Sequence, residues 1–416
     1  MNIGIVTTWF ERGAAYVSRQ YREALKDKHS VYIYARGGES YAVGDPAWDH
    51  QYVHWGAKPD IPIPTAVDMA DFQKWLEKFQ IEVVFFNEQH WWYPVIFCNK
   101  LGLITGAYVD YYTEDTVPLF ANYDFLICNT KRHYSVFEWH PQCYYIPWGT
   151  DLNLFRPKEY NMVSQGQVTF FHSCGFSPER KGTDFLLKAF YDLQASDLKL
   201  IIHTQTNLSE RLPAVAGIIH ELQSNNRLEV IEKTVPAPGL YYMGDIYVYP
   251  SRLDGLGLTI VEALASGLPV IASDNAPMNE FVEHEKNGRL VKIDKFTSRA
   301  DGYYWPQSLV DLEDLKTQMM WYLKNKVNIA NFKKFVHEYA LQNFDWMKNM
   351  SNLSSLLFDV NKLPSDIVLK AEERAIEFEN KCYQNSLAFL AQKYPKSFRL
   401  ASVGLKAYKK AKAFLR

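Results

Sequence analysis

A chain of 416 residues is long enough for two or three folding units, and its 47% hydrophobic and 22% charged residues supply buried cores, which excludes a largely disordered protein. Its 45 Lys and Arg against 47 Asp and Glu leave a net charge of -2, so no overall field draws it to nucleic acid. The five cysteines, Cys98, Cys128, Cys143, Cys174 and Cys382, are odd in number and form no C-x-x-C pair, which points to reduced thiols and away from a disulfide framework or a zinc site.

The N-terminus, MNIGIVTTWF, has no charged region leading into a long apolar one and runs straight into a strand. IGIVTTW is followed by the helical YVSRQYREALKD, the strand VYIYA, the helical VDMADFQKWLEKFQ and the strand EVVFFNE. ITGAYVD, YDFLICNT and YYIPWGT continue the series. This β-α-β rhythm predicts a parallel sheet covered by helices on both faces. TDLNLFRPKEYNMVSQGQ is polar and aperiodic, which places a hinge near residues 151–167. A second series, VTFFHSCG, FLLKAFYDL, LKLIIHT, RLEVIEK, IYVYPS and LPVIASD, predicts a second doubly wound lobe. Beyond residue 310 the pattern turns helical, Pro364 interrupts it, and a further helical tail follows. No stretch reaches the roughly 20 apolar residues of a spanning helix. The last 22 residues, 395–416, carry seven Lys or Arg and no acid, interleaved with Leu400, Val403, Phe414 and Leu415. Such a tail suits peripheral contact with an anionic membrane, a solvated helix, or packing on the body of the protein.

In doubly wound lobes ligands sit at the carboxyl ends of strands. After the first strand, FERGAAYV offers Gly13, which either admits a ligand to the backbone or serves an ordinary turn. In HSCGFSPERKGTDFLLKAF, Arg180 and Lys181 precede Gly182 and a helix expected from Thr183. Two cations beside a helix start form an anion site, with a solvated surface pair as the plainer alternative. In SRLDGLGLTIVEALASGLPV, Gly255 and Gly257 let the loop bend and expose its N–H groups. Asp254 lies on that loop, and Glu262 is expected in the first turns of the next helix, where the macrodipole alone favours an acid by about 0.3–1 kcal/mol. In the first half, Glu88 and His90 follow one strand and Asp110 the next, where an acid also often caps a helix.

The whole pattern resembles the retaining glycosyltransferases of family 4, built on the GT-B fold of two facing Rossmann-like lobes. Pro250, Ser251, Gly255, Gly257, Leu258, Glu262, Ala263, Gly267, Pro269 and Val270 match the family's proline-serine, E-G-F-G-L and E-A segment with its A-x-G-x-P-V end. IPWGTDLNLF resembles its IPNGVD segment, ERKGTDFLLKAF its phosphate-binding EKG segment, and EFVEHEKNGRLV its segment ending in NGxLV. FDW, at residues 344–346, resembles the tryptophan element where the C-terminal helix crosses back to the first lobe. The likeness covers residues 1 to about 360 and is most specific in the second half.

The resemblance implies an α/β GT-B chain with an acceptor-side lobe at 1–165, a donor-side lobe at 166–345, and helices at 346–416 that cross back and end in the basic tail. It implies a cytoplasmic enzyme, at the membrane's inner face if the tail binds there, moving a sugar from a UDP- or GDP-sugar to a glycan or lipid-linked acceptor in cell-surface polysaccharide or glycolipid synthesis. By the same likeness Lys181 binds the donor diphosphate and stabilises the leaving charge. Glu262 accepts from the ribose hydroxyls, Asp254 holds hydroxyls of the transferred sugar, and the backbone of Gly255, Leu256, Gly257, Leu258 and Thr259 reaches donor oxygens. Gly13 admits the donor phosphate from the opposite lobe. Asp110 is the nearest match to a histidine that contacts sugar or acceptor, with Glu88 and His90 beside it on the acceptor side. Trp91, Trp92, Tyr93, Tyr111 and Tyr112 would stack on sugar rings or pack in the core. No cofactor or metal is expected, because no D-x-D motif occurs.

Two positions depart from the family pattern. Asp254 stands where a Glu is usual, and Gly175 where an arginine usually lies six residues before the lysine; Arg180 is expected to replace that lost cation. A nicotinamide oxidoreductase also suits two such lobes, but no G-x-G-x-x-G follows the first strand. The other alternative is a degenerate pair of lobes that binds a nucleotide sugar or glycan without transfer.

Overall fold

The computed structural model describes residues 1–39, 42–61, 63–158 and 166–383. The basic tail expected at 395–416 and residues 159–165 of the expected hinge lie outside the described residues.

The first sheet has seven parallel strands: β1 (Asn2–Thr7), β2 (Ser30–Ala35), β3 (Val53–Trp55), β4 (Val83–Asn87), β5 (Ile104–Tyr108), β6 (Phe125–Cys128) and β7 (Cys143–Tyr145). Their order is β3-β2-β1-β4-β5-β6-β7. The second sheet has six: β8 (Val168–Gly175), β9 (Leu198–Thr204), β10 (Leu228–Glu232), β11 (Ile246–Tyr249), β12 (Val270–Ser273) and β13 (Gly288–Val291), in the order β10-β9-β8-β11-β12-β13. Central strands such as VVFFN and IYVY are buried at every residue, as strands covered by helices on both faces must be. Both expected lobes are therefore doubly wound. Their strand orders reverse between β1 and β4 and between β8 and β11, so a crevice opens at the carboxyl ends of those four strands.

An antiparallel hairpin, β14 (Ile293–Thr297) and β15 (Gln307–Val310), leaves the second lobe after β13 and has no counterpart in the sequence reading. The chain returns to the first lobe at Trp346, whose Nε1 donates to the Gln20 carbonyl at 2.8 Å and whose ring lies 4.3 Å from that of Trp148. Thr150 and Asp345 form a parallel bridge beside it. The helix Ser365–Tyr383 then lies on the first lobe, where Trp92 N–H donates to Glu379 at 2.8 Å. No helix among the described residues is long and apolar enough to cross a membrane. The cysteines are thiols, with the Cys128 and Cys143 sulfurs 3.8 Å apart on β6 and β7. Trp91, Trp92 and Tyr112 are 3%, 3% and 1% exposed, so they are core residues of the first lobe and not open stacking platforms. Tyr93 and Tyr111 are half-buried.

The loops after β8 and β11 are docked on each other. The Arg180 carbonyl accepts from Arg252 N–H at 2.9 Å and from the Ser251 hydroxyl at 3.2 Å, and the Arg180 guanidinium donates to the Leu253 carbonyl at 2.8 Å. Gly182 makes this possible: its φ is +71°, and a Cβ there would lie 1.9 Å from the Pro250 oxygen. A side chain would force the two loops apart. Gly182→Ala is therefore expected to cost about 2–4 kcal/mol of stability, from left-handed strain plus overpacking, as measured by chemical denaturation.

Candidate active site

Lys181 ends the β8 loop and Asp254 lies on the β11 loop, and the docking just described brings Lys181 Nζ to 2.6 Å from Asp254 Oδ2. Arg180 Nη1 stands 3.5 Å from Oδ1, which also accepts from Gly255 N–H at 2.9 Å. The hydroxyl of Tyr249, on the last residue of β11, donates to Oδ2 and accepts from Lys181. A carboxylate has about four acceptor positions. All four are thus engaged, and Asp254 faces the two cations. Burial opposes ionisation of Asp254, but the Lys181 and Arg180 charges with the Lys181 and Tyr249 hydrogen bonds overcome it and hold the carboxyl well below its usual range. For Lys181 burial wins in part over its partner, lowering the ammonium to about 8.

The helix Leu258–Ala265 starts directly after this loop, with Gly257 at φ +83° as its cap, so its first N–H groups face the crevice. Thr259 lies in its first turn. Glu262 lies in the second turn, beyond the reach of most of the dipole; what holds it is the Tyr241 hydroxyl, donating to Oε2 at 2.6 Å. Burial raises Glu262 to about 7 against the opposing Tyr241 bond and Lys181 charge. Gly13 opens the helix Gly13–Leu25 across the crevice, and a Cβ there would sit 3.3 Å from Leu258 Cδ1. Gly255 also comes near Asp110, at 4.0 Å for a Cβ on Gly255 and the Asp110 Cβ. The donor-side and acceptor-side candidates thus meet in one place.

On the first lobe, Glu88 has a left-handed φ of +52° and pairs with Arg12 at 3.2 Å. His90 packs edge-on against Tyr111 with centroids 5.2 Å apart, and burial first, then the Arg36 and Arg12 charges, lower it to about 4. Tyr303, near the tip of the β14–β15 hairpin, donates to the Asp110 carbonyl at 3.1 Å and stacks on Tyr111 at 5.1 Å. The hairpin therefore fastens the second lobe to the first beside Asp110, and Thr113 and Tyr303 form an antiparallel bridge.

Sequence reasoning missed His133. It is fully buried in the helix Lys131–Phe137, and its Nε2 lies 2.7 Å from the Gly255 carbonyl. A carbonyl only accepts, so Nε2 donates and Nδ1 accepts from Tyr112 OH at 2.8 Å. Trp305 Nε1 on the hairpin donates to that same hydroxyl at 2.7 Å. This relay anchors the glycine loop to both lobes. Tyr249, Tyr241 and His133 were not singled out in sequence, because the residues around them carry no mark of where a hydroxyl or imidazole will point.

Residues 167–302 match the family model of the glycosyl transferases group 1. The chain is 31% identical over 153 residues to an uncharacterised glycosyltransferase of Haemophilus influenzae, covering 36% of this chain and 42% of that protein. It is also 31% identical over 99 residues to the lipopolysaccharide core biosynthesis mannosyltransferase LpsB of Rhizobium meliloti, covering 23% and 26% respectively. The chain thus spans less than half the length of these relatives. Among solved structures it is similar to Anabaena HepE in complex with UDP-glucose, with a TM-score of 0.68 at 16% identity over 86% of this chain and 99% of that one. The fold is GT-B.

Asp110 is the most perturbed acid on the first lobe: burial, then the Glu88 charge, raises it to about 8 against the Tyr111 N–H bond and the Arg36 and Arg12 charges. A carboxyl raised on folding keeps a proton that the unfolded chain releases near pH 4, so it weakens stability progressively as pH climbs from there toward 8. Asp110→Asn removes that penalty. The variant is expected to melt about 2 °C or more above wild type at pH 8.5, with the gain vanishing near pH 4, in thermal melts across pH.

Proposed function

We propose that this chain is a retaining, metal-independent glycosyltransferase that moves a sugar from a UDP- or GDP-sugar to a hydroxyl of a glycan or lipid-linked acceptor. The observation that carries the reading is the meeting of Arg180, Lys181 and the start of the helix Leu258–Ala265 at the switch point of the second sheet, facing Gly13 and Asp110 of the first. Two adjacent cations and a helix N-terminus at one crevice suit a diphosphate. The UDP-glucose held by HepE and the mannosyl transfer named for LpsB support a nucleotide-sugar donor.

In this mechanism the bond between the sugar C1 and the diphosphate oxygen breaks, and the electron pair leaves on the phosphate. Lys181 and Arg180 stabilise that charge, the role whose removal costs most in such sites. Glu262, steadied by Tyr241, presents its other oxygen to the ribose. The acceptor hydroxyl enters from the Asp110 side, forms its bond to C1 on the face the phosphate leaves, and gives its proton to the departing phosphate oxygen. Asp254, occupied by two cations, a phenol and an amide, is not free to attack C1 as the nucleophile of a retaining glycosidase would. Asp110, held protonated, offers an O–H to the sugar or acceptor. Contact of residues 395–416 with anionic lipid would suit a lipid-linked acceptor.

A panel of UDP- and GDP-sugars, followed by release of the nucleoside diphosphate, tests the reading. One donor is expected to turn over slowly with water and faster with acceptor. Lys181→Ala should lower that rate roughly 100-fold or more, and Arg180→Ala should raise the donor KM strongly. Tight binding without turnover of any donor would instead mark a binding module.

A further inference from the structure

We propose that Tyr249 is a positioning residue of the site, its phenol clamping Asp254 and Lys181 to the central strand of the second sheet so that the lysine is held ready for a diphosphate. This rests on the nucleotide-sugar reading above.

Tyr249 is fully buried on β11, the strand beside the switch point. Its ring stacks on Tyr247 at 5.6 Å and lies 6.4 Å from the ring of His172. His172 is itself pinned, with its two ring nitrogens 2.7 Å from the Val248 carbonyl and 2.8 Å from the Thr183 hydroxyl. The phenol therefore belongs to the rigid part of the lobe, whereas Asp254 and Lys181 sit on loops. Its hydroxyl bonds both at once, donating to Asp254 and accepting from Lys181, whose ammonium also lies 4.8 Å from the Tyr249 ring centroid. A phenylalanine would fill the same space and leave the ion pair held only from the two loops, without its tie to the strand. Precision in a charged site comes from supports on fixed elements, and here one oxygen atom supplies it.

With its four acceptor positions filled, Asp254 acts as counter-ion and aiming arm for Arg180 and Lys181, not as a ligand for sugar hydroxyls.

The test compares Tyr249→Phe with wild type in ligand-observed NMR titrations of UDP and of uridine, or of GDP and guanosine if the protein takes the guanine nucleotide. If Tyr249 acts through Lys181, the diphosphate loses about tenfold in affinity and the nucleoside changes less than twofold. Equal losses for both ligands would show a merely structural tyrosine and overturn the proposal, as would no loss for either. Should Tyr249→Phe lose its folded signal, Asp254→Asn tests the clamp through the sign of the change. Loss of the carboxylate charge alone raises diphosphate affinity, so a fall in UDP affinity with uridine unchanged supports the clamp, and a rise overturns it. Failure of wild type to bind either diphosphate would overturn the nucleotide-sugar reading, and the proposal with it.

Discussion

Lys181 and Asp254 are largely taken out of water at the point where the lobes meet, with the partly exposed Arg180 beside them, and much of the surrounding structure answers to that. Arg180 and Lys181 are adjacent in sequence and repel each other, and burial makes the lysine charge costlier. Asp254 offsets both, at 3.5 and 2.6 Å. The arrangement is tolerable only because hydrogen bonds meet what the ion pairs leave over, and those bonds come from elements with no freedom to drift: a strand residue at Tyr249 and the crossed loops secured by Ser251 and Arg252. A diphosphate would bring to the same spot the further negative charge that two cations leave unmatched by a single carboxylate.

The first lobe contributes less charge and more geometry. Its share of the crevice is a glycine that lets the helix Leu258–Ala265 come close, an acid kept neutral by burial, and the His133 relay that fixes the Gly255 carbonyl. The hairpin adds a third tie through Tyr303 and Trp305. The arginine side chain of Arg132 belongs to this seam as well, lying over the Trp305 ring at 4.5 Å, while the N–H groups of Lys131 and Arg132 hold Glu280 of the other lobe at 2.6 and 2.9 Å.

The doubly wound lobes were legible because parallel strands buried on both faces must be continuous apolar runs, and IGIVTTW, EVVFFNE, VTFFHSCG and IYVYPS are such runs. The loops carrying Gly13, Arg180, Lys181 and Asp254 were legible because glycines and charges break those runs at strand ends. What stayed hidden is of another kind. IDKFTSRADGYYWPQSLV has the composition of a long polar connection, and only its pairing as β14 and β15 shows it to be a hairpin that reaches across the crevice. The tryptophans of QHWWYP looked available for stacking because they follow a strand, yet burial among Phe120, Tyr123 and their neighbours claims them. The orientation of Asp254 toward lysine, too, depends on a contact between residues 73 positions apart.

The bridge between Thr150 and Asp345 has a mechanical meaning. The strand that leaves the first lobe and the one that comes back lie side by side, with Thr150 N–H bonded to the Phe344 carbonyl at 2.8 Å and Trp346 N–H to the Thr150 carbonyl at 3.2 Å. The two crossings are thus laced into a double strap, separate from the seam at the crevice where Tyr303 and His133 also tie the lobes. Thr150 and residues 344–346 therefore act as one joint: neither crossing strand can shift without pulling on the hydrogen bonds that bind it to the other.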